Sequence, residues 1–271
     1  MVAGVEPIFF DDFGSGQLDR SKWNARTSGR IVNDEQQAYI DSPDTIFVSS
    51  GADTAGATGN VLVLQPRFRP GYTSPDGDRF DFVSGRIDTR GRFQFRYGCA
   101  SARIRLPDGR GLWPAFWLMG GGNWPETGEI DVMEYVGERD WTSSAVHGPG
   151  YSGEQGLVNN RYFTDRVDAT DWHVYSVDWE PDQLVFRVDD AIVYRVTRPM
   201  VEFFGPWTFD NEKFLIVNFA LGGIYPFKTS GIDSPYHGLS QAATDAIKTG
   251  RAKLLVDWVR VDPLGSRKDT L

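Results

Sequence analysis

Gly111-Leu-Trp-Pro-Ala-Phe-Trp-Leu-Met-Gly120, the loop Gly121-Gly-Asn-Trp-Pro-Glu-Thr127, and then Gly128-Glu-Ile-Asp-Val-Met-Glu-Tyr-Val-Gly137 decide how this chain folds. The first run is apolar on both sides when its residues alternate as in a strand. Trp113, Ala115, Trp117 and Met119 share one face, and Phe116 and Leu118 share the other, which is the pattern of a central strand. The second run carries three acids in the same apolar setting. In a regular strand Glu129 and Asp131 face one way and Glu134 the other. A β-bulge at Val132-Met133 inserts one residue and returns Glu134 to the face of the other two, and bulges gather beside active sites. All three acids then line one cleft.

Charges in an apolar strand need a reason, because burial without a partner is costly. A solvated row of acids on an exposed strand is the plain alternative, and the apolar neighbouring run argues against it. Paired carboxyls about 5–5.5 Å apart are the equipment of retaining glycoside hydrolysis, one as nucleophile and one as acid/base. Crowding three of them in a desolvated cleft raises the pKa of at least one, so that an acid and an anion coexist near neutral pH. Asp131, between the glutamates, can share a proton with Glu129 and steer it.

Outward from this segment the pattern is β throughout. Val61 to Gln65, Gln94 to Leu106, Trp172 to Trp179, Leu184 to Val196, Lys213 to Leu221 and Leu254 to Val261 read as strands separated by Pro, Asp and Gly. One helix is predicted at 240–248, capped by Ser240 and followed by Gly250. Many strands without repeat or linker over 271 residues point to one domain, 1–271, built as a two-sheet sandwich. A chain of this length can bury a core without disulfides, which the single Cys99 cannot form internally. With 28 Lys and Arg against 37 Asp and Glu the net charge is −9, which repels phosphate backbones and anionic lipid, so neither nucleic acid nor a membrane is expected as partner. Met1-Val-Ala-Gly-Val-Glu6 lacks a basic region followed by an apolar one, which leaves a cytoplasmic protein and an exported one, its leader removed, both open.

Trp-Pro-Ala-Phe-Trp-Leu followed by Gly-Glu-Ile-Asp-Val-Met-Glu closely resembles the signature of glycoside hydrolase family 16, in its laminarinase-like branch. Asn33-Asp-Glu-Gln-Gln-Ala-Tyr39, Ser84-Gly-Arg-Ile87, Tyr97-Gly98, Leu106-Pro107, Trp172-His-Val-Tyr175, Asn218 to Gly223 and Val256-Asp-Trp-Val-Arg-Val261 match further landmarks in the family's order. The form with the extra Met133 looks like the bulged strand of β-1,3-glucanases, whereas lichenases of the family carry a shorter E-x-D-x-E. The resemblance implies a β-jelly-roll sandwich of two curved antiparallel sheets, concanavalin A-like, with the cleft on the concave face. It implies Glu129 as nucleophile, Glu134 as general acid/base and Asp131 as helper, acting without a cofactor on β-1,3-glucan; a monomer is expected. A mixed-linkage glucan, a galactan, transglycosylation and a non-catalytic glucan-binding lectin are the alternatives. Export is expected because so large a polymer lies outside the cell.

For substrate binding, Trp113, Trp117 and Trp124 offer aromatic faces to sugar rings, and His147 matches a family histidine that faces the acids. Asn33, Glu35, Arg86 and Asn218 match polar positions lining the cleft in relatives. Core packing is the rival reading for each tryptophan, as a structural hydrogen bond is for His147. Asp257 lies in an apolar run and needs a partner. The resemblance implies a structural Ca2+ there, with Glu6 near the N-terminus and Gly51 supplying carbonyls, and the alternative is a nearby arginine. Two departures stand out: Cys99 and Ser101 replace a basic and an acidic residue of many relatives, and the segment 225–250 is long enough to narrow or lengthen the cleft.

Overall fold

Period-two alternation makes each strand amphipathic or doubly apolar, and burying those faces against one another produces two stacked sheets. The computed structural model describes residues 6–164 and 167–266. Its seven-stranded antiparallel sheet runs, edge to edge, Leu157–Tyr162, Trp141–His147, Glu129–Glu134, Leu112–Gly120, Lys213–Leu221, Arg86–Asp88 and Asn24–Ala25. The facing sheet runs Ala191–Thr197, Gln183–Val188, Trp172–Trp179, Gly98–Arg105, Leu254–Asp262, Val61–Leu64 and Ile46–Ser49, with Phe9–Asp11 paired to Leu254–Asp262. One continuous core fills the space between them, contributed by alternate residues such as Phe116, Leu118, Ile130, Val146, Leu215 and Val217 from one sheet and Ala100, Ala102, Ile104, Val177 and Val259 from the other.

The quoted segment sits at the middle of the seven-stranded sheet. Leu112–Gly120 pairs with Glu129–Glu134 on one side and with Lys213–Leu221 on the other, so its strand is central, as its two apolar faces require. A third, small sheet was not legible in the sequence: Gln37–Tyr39 pairs parallel with Arg79–Ser84, which pairs antiparallel with Arg67–Thr73. The sandwich of two antiparallel sheets therefore carries one parallel pair at its rim. The helix at Gln241–Lys248 begins where expected, with the Ala243 amide donating to the Ser240 hydroxyl at 3.1 Å, and Gly250 follows at φ +71°. Two shorter helices, Arg198–Glu202 and Ile224–Ser230, escaped the reading because each holds an early proline, which a first helical turn accepts.

Cys99 and Ser101 lie on the outer side of the eight-stranded sheet, opposite Asp178 and Ser176. Their loss of charge is remote from the cleft.

Candidate active site

The bulge falls where the alternation demands it. Phe116 pairs with Met133 and the next residue, Trp117, with Asp131, so Val132 is extra, while on the other side Asp131 and Glu134 pair with Ala145 and Ser143. Val132 and Met133 both turn into the core, and Glu129, Asp131 and Glu134 line one cleft of about 350 Å³. Trp113, Ala115, Trp117, Met119, Asn218 and Ala220 form its floor, with Arg86, Tyr39, Glu35, Gln37 and Asn33 along one wall. Trp124 overhangs the Glu129 end from the Gly121–Thr127 loop and is half exposed.

Each acid has a distinct set of neighbours. Glu134 Oε1 accepts from the Trp113 indole at 3.1 Å. Asp131 Oδ2 lies 3.3 Å from His147 Nε2, and His147 is the cross-strand partner of Glu129. Glu129, Asp131 and His147 each offer an atom within 4.8 Å of the others, the one such metal-competent group among the described residues. Burial is the largest influence on all three carboxyls. It pushes Glu129 up to about 8, with repulsion from Asp131 added and the His147 charge opposing. It pushes Glu134 up to about 7, against the His147 charge and the Trp113 hydrogen bond. Asp131 rises well above the usual carboxylate range through burial and the charge of Glu134. The three titrate as a set, and its protons belong to the set and not to a single residue. A cleft of this kind holds acid and anion side by side at neutral pH.

The wall is a chain of mutual orientation. The Trp117 indole donates to Asn218 Oδ1 at 2.7 Å, and the Asn218 amide donates to the Tyr39 hydroxyl at 3.0 Å. Arg86 stacks over Trp117 with its guanidinium 4.9 Å from the ring. Gln37 donates to Glu35 at 2.7 Å while its carbonyl accepts from the Leu221 amide. Burial raises the Glu35 carboxyl. Trp117 is thus held edge and face, so this part of the floor is oriented by the wall before any ligand arrives.

Asn33, Arg86, Trp113, Trp117, Trp124 and Asn218, read as substrate-contacting from the sequence, border this cleft, whereas His147, read the same way, does not line it and stands behind Asp131. Sequence reasoning missed Tyr39 and Gln37 as members of the wall, although both lie in the quoted Asn33–Tyr39 landmark. It also missed Tyr225, whose hydroxyl is 3.0 Å from Ser143 Oγ and whose ring meets Trp113 edge-on at 5.5 Å. Tyr225 opens the long 225–250 segment and stands beside Ser143, the cross-strand partner of Glu134. Tyr162 was missed as well. Its strand pairs Asn160 with Ser143 and Tyr162 with Trp141, which puts both on the cleft side, and Tyr162 is 57% exposed there.

Of the residues read as a calcium set, Asp257, Glu6 and Gly51, the structure gives Asp257 protein partners. Asp257 Oδ1 accepts from the Thr58 amide at 2.9 Å, and Oδ2 accepts from the Thr58 hydroxyl at 2.7 Å and from Arg103 Nη1 at 2.6 Å. A divalent ion on that carboxylate would meet the guanidinium charge. These donors do not fit the ion, and Arg103, which also donates to the Gly56 carbonyl at 3.0 Å, ties the 51–59 loop to the strand instead.

Residues 43–217 match the family model described as glycosyl hydrolases family 16. The chain belongs to that family. The Beta-glucanase of Rhodothermus marinus is 31% identical to this family-16 hydrolase over 269 residues, covering 94% of this chain and 84% of the relative. An Endo-1,3-1,4-beta-glycanase of Rhizobium meliloti is 30% identical over 263 residues, and there the match spans 92% of this chain and 52% of the relative. Among solved structures, the endo-beta-1,3-glucanase from Pyrococcus furiosus superposes with a TM-score of 0.82 at 30% identity, covering 97% of this chain and 96% of that one. A family-16 hydrolase of this kind needs no cofactor for its chemistry, in keeping with a site made of carboxyls, indoles and a histidine.

Proposed function

We propose that this hydrolase cuts β-1,3-glucosidic bonds inside β-glucan chains with retention of configuration. The observation that carries the reading is the bulged strand, which turns Glu129, Asp131 and Glu134 into one aromatic-walled cleft. In the first step the Glu129 carboxylate attacks the anomeric carbon as the bond to the leaving oxygen breaks and Glu134 passes its proton to that oxygen. In the second, Glu134 takes a proton from water, the hydroxide replaces Glu129 at the same carbon, and Glu134 is reset. One water is consumed per bond cut. Asp131, beside His147, holds the proton that would otherwise neutralise Glu129. Cleft-side indoles offer apolar faces to sugar rings, and the polar wall of Asn33, Glu35, Arg86 and Asn218 offers hydrogen bonds to hydroxyls.

The fold and family names of relatives support β-glucan, and the mixed-linkage activity in the name of the Rhizobium meliloti relative keeps that polymer as the second reading. The retained trio of acids argues against a purely binding role. We place the enzyme outside the cell and working as a monomer, since its polymer is too large to enter. The deciding experiment measures reducing ends released from laminarin, lichenan and agarose. Laminarin should lead; preference for lichenan would move the assignment to mixed-linkage glucan, and cleavage of agarose alone would move it to galactans.

A further inference from the structure

Lys213 opens the strand Lys213–Leu221, opposite Gly120 in register. Strand parity sends its side chain to the core with Leu215 and Val217, away from the cleft, and it is fully buried. Its ammonium donates to the Thr127 carbonyl, to the Gly128 carbonyl at 3.2 Å, to the Thr208 carbonyl at 3.3 Å and to Asn211 Oδ1 at 3.3 Å. An ammonium has three protons to give, so four oxygens in reach engage all of them, with one proton shared between two oxygens. The rings of Phe209 and Trp179 lie 5.5 and 5.8 Å from the nitrogen. A lysine is rarely buried this completely without being held by such partners.

Two of the four oxygens belong to Thr127 and Gly128, the residues immediately before Glu129. Asn211 reinforces the same place, its amide donating to the Thr127 and Thr208 carbonyls at 3.1 and 2.9 Å. Gly128 adopts φ +70°, and a Cβ there would stand 2.7 Å from the Thr208 carbonyl, so the turn fits only a glycine. Burial draws the ammonium down to about 7, and the charges of Asp210 and Glu129 oppose that fall. A neutral amine, with two protons, would leave more of these carbonyls unmet.

We propose that Lys213 is a positioning residue: its ammonium clamps the Thr127 and Gly128 peptides and so fixes where the Glu129 strand begins and how the Glu129 carboxylate meets the anomeric carbon. This rests on the reading of Glu129 as the nucleophile. Misplacing a reacting group by about 1 Å costs up to about 100-fold in rate. Lys213→Met keeps the length of the side chain and removes the clamp. On the polymer that the wild type cleaves best, kcat should fall about 10- to 100-fold while KM stays within about twofold. In a Glu129→Gln background, calorimetry with an oligosaccharide of that polymer should give the same Kd with and without Lys213→Met. A folded Lys213→Met with kcat within twofold of wild type overturns the proposal, as does loss of oligosaccharide binding. Should Lys213→Met fail to fold, Asn211→Ala keeps the lysine and removes part of the clamp; a kcat about threefold or more below wild type at constant KM supports the role, and an unchanged kcat overturns it. Choosing the polymer by screen keeps a wrong linkage assignment from touching this comparison. A wild type inactive on every polymer overturns the nucleophile reading and this one with it.

Discussion

Glu134→Gln should make the protein more stable at pH 8 and leave its stability almost unchanged at pH 4. Burial raises the Glu134 carboxyl from its usual 4.5 to about 7, so the folded state keeps a proton that the unfolded state has released. Folded protein then binds more protons than unfolded protein between about pH 4.5 and 7, and stability falls as pH rises through that window. Above the folded value the whole penalty is present. At about 1.4 kcal/mol per pH unit, the rise to about 7 corresponds to about 3 kcal/mol. Because Asp131 and Glu129 share the protons of the set, about half of that belongs to this side chain alone. Glutamine reproduces the neutral form in shape, and its carbonyl still accepts from the Trp113 indole as Glu134 Oε1 does. The expected gain at pH 8 is about 1–2 kcal/mol, which for a chain of this size is about 3–6 °C in Tm. Calorimetric scans of both proteins at pH 4, 6 and 8 read it directly. A Tm difference that is the same at all three pH values would refute the reasoning, because a pH-independent change is packing and not proton linkage. A loss of stability at pH 8 would refute it more strongly.

Glu129→Gln should abolish turnover with the fold intact, and proton NMR of the first wild-type product should show the β anomer; an α anomer appearing first removes the double displacement. Glucan hydrolysis should decline on the alkaline side as Glu134, raised to about 7, loses the proton it must give, so the descending limb of kcat/KM against pH should vanish for a substrate whose leaving group needs no proton. Calcium and a chelator should leave the melting temperature of the wild type equal, since Arg103 stands on Asp257, whereas Arg103→Met should lower it by a few degrees through an unpaired buried carboxylate. Tyr162→Ala should weaken binding of long glucan chains several-fold, read by calorimetry in the Glu129→Gln background, if its exposed ring is a platform two strands beyond Glu134.

The central strands were legible because both faces of each are apolar or catalytic, and a bulge was the one way to bring Glu134 into phase with Glu129. The rim was not. Leu157–Tyr162 carries Asn159, Asn160 and Arg161, and an edge strand with a solvated face shows little of the alternation that marks a buried one. Gln37–Tyr39 is three residues long and joins a parallel pair, too short for any periodic signal. Asp257 showed its need for a partner, but which partner depends on Arg103, 154 residues away along the chain and adjacent only after their two strands pair within one sheet. Lys213 looked like the polar start of a strand, and nothing local indicates that four oxygens from two distant segments, 127–128 and 208–211, converge on it. In each case the missing information is a contact between segments, which no local pattern contains.

The extra residue in the Glu129–Glu134 strand has a consequence for how such chains can change length. Val132 and Met133 together oppose one residue, Ser144, of the neighbouring strand and both point inward. Remove either, and regular alternation places the last glutamate on the same side as Glu129 and Asp131, with Tyr135 still turned to the core. Most single-residue deletions in a strand invert everything downstream of the cut. Here one deletion inverts nothing, so the distance between the two glutamates along the chain can drift by a residue across a lineage while the reaction they perform is conserved. Spacing in such a motif is a poor ruler; the side on which each carboxyl emerges is the quantity that natural selection can see.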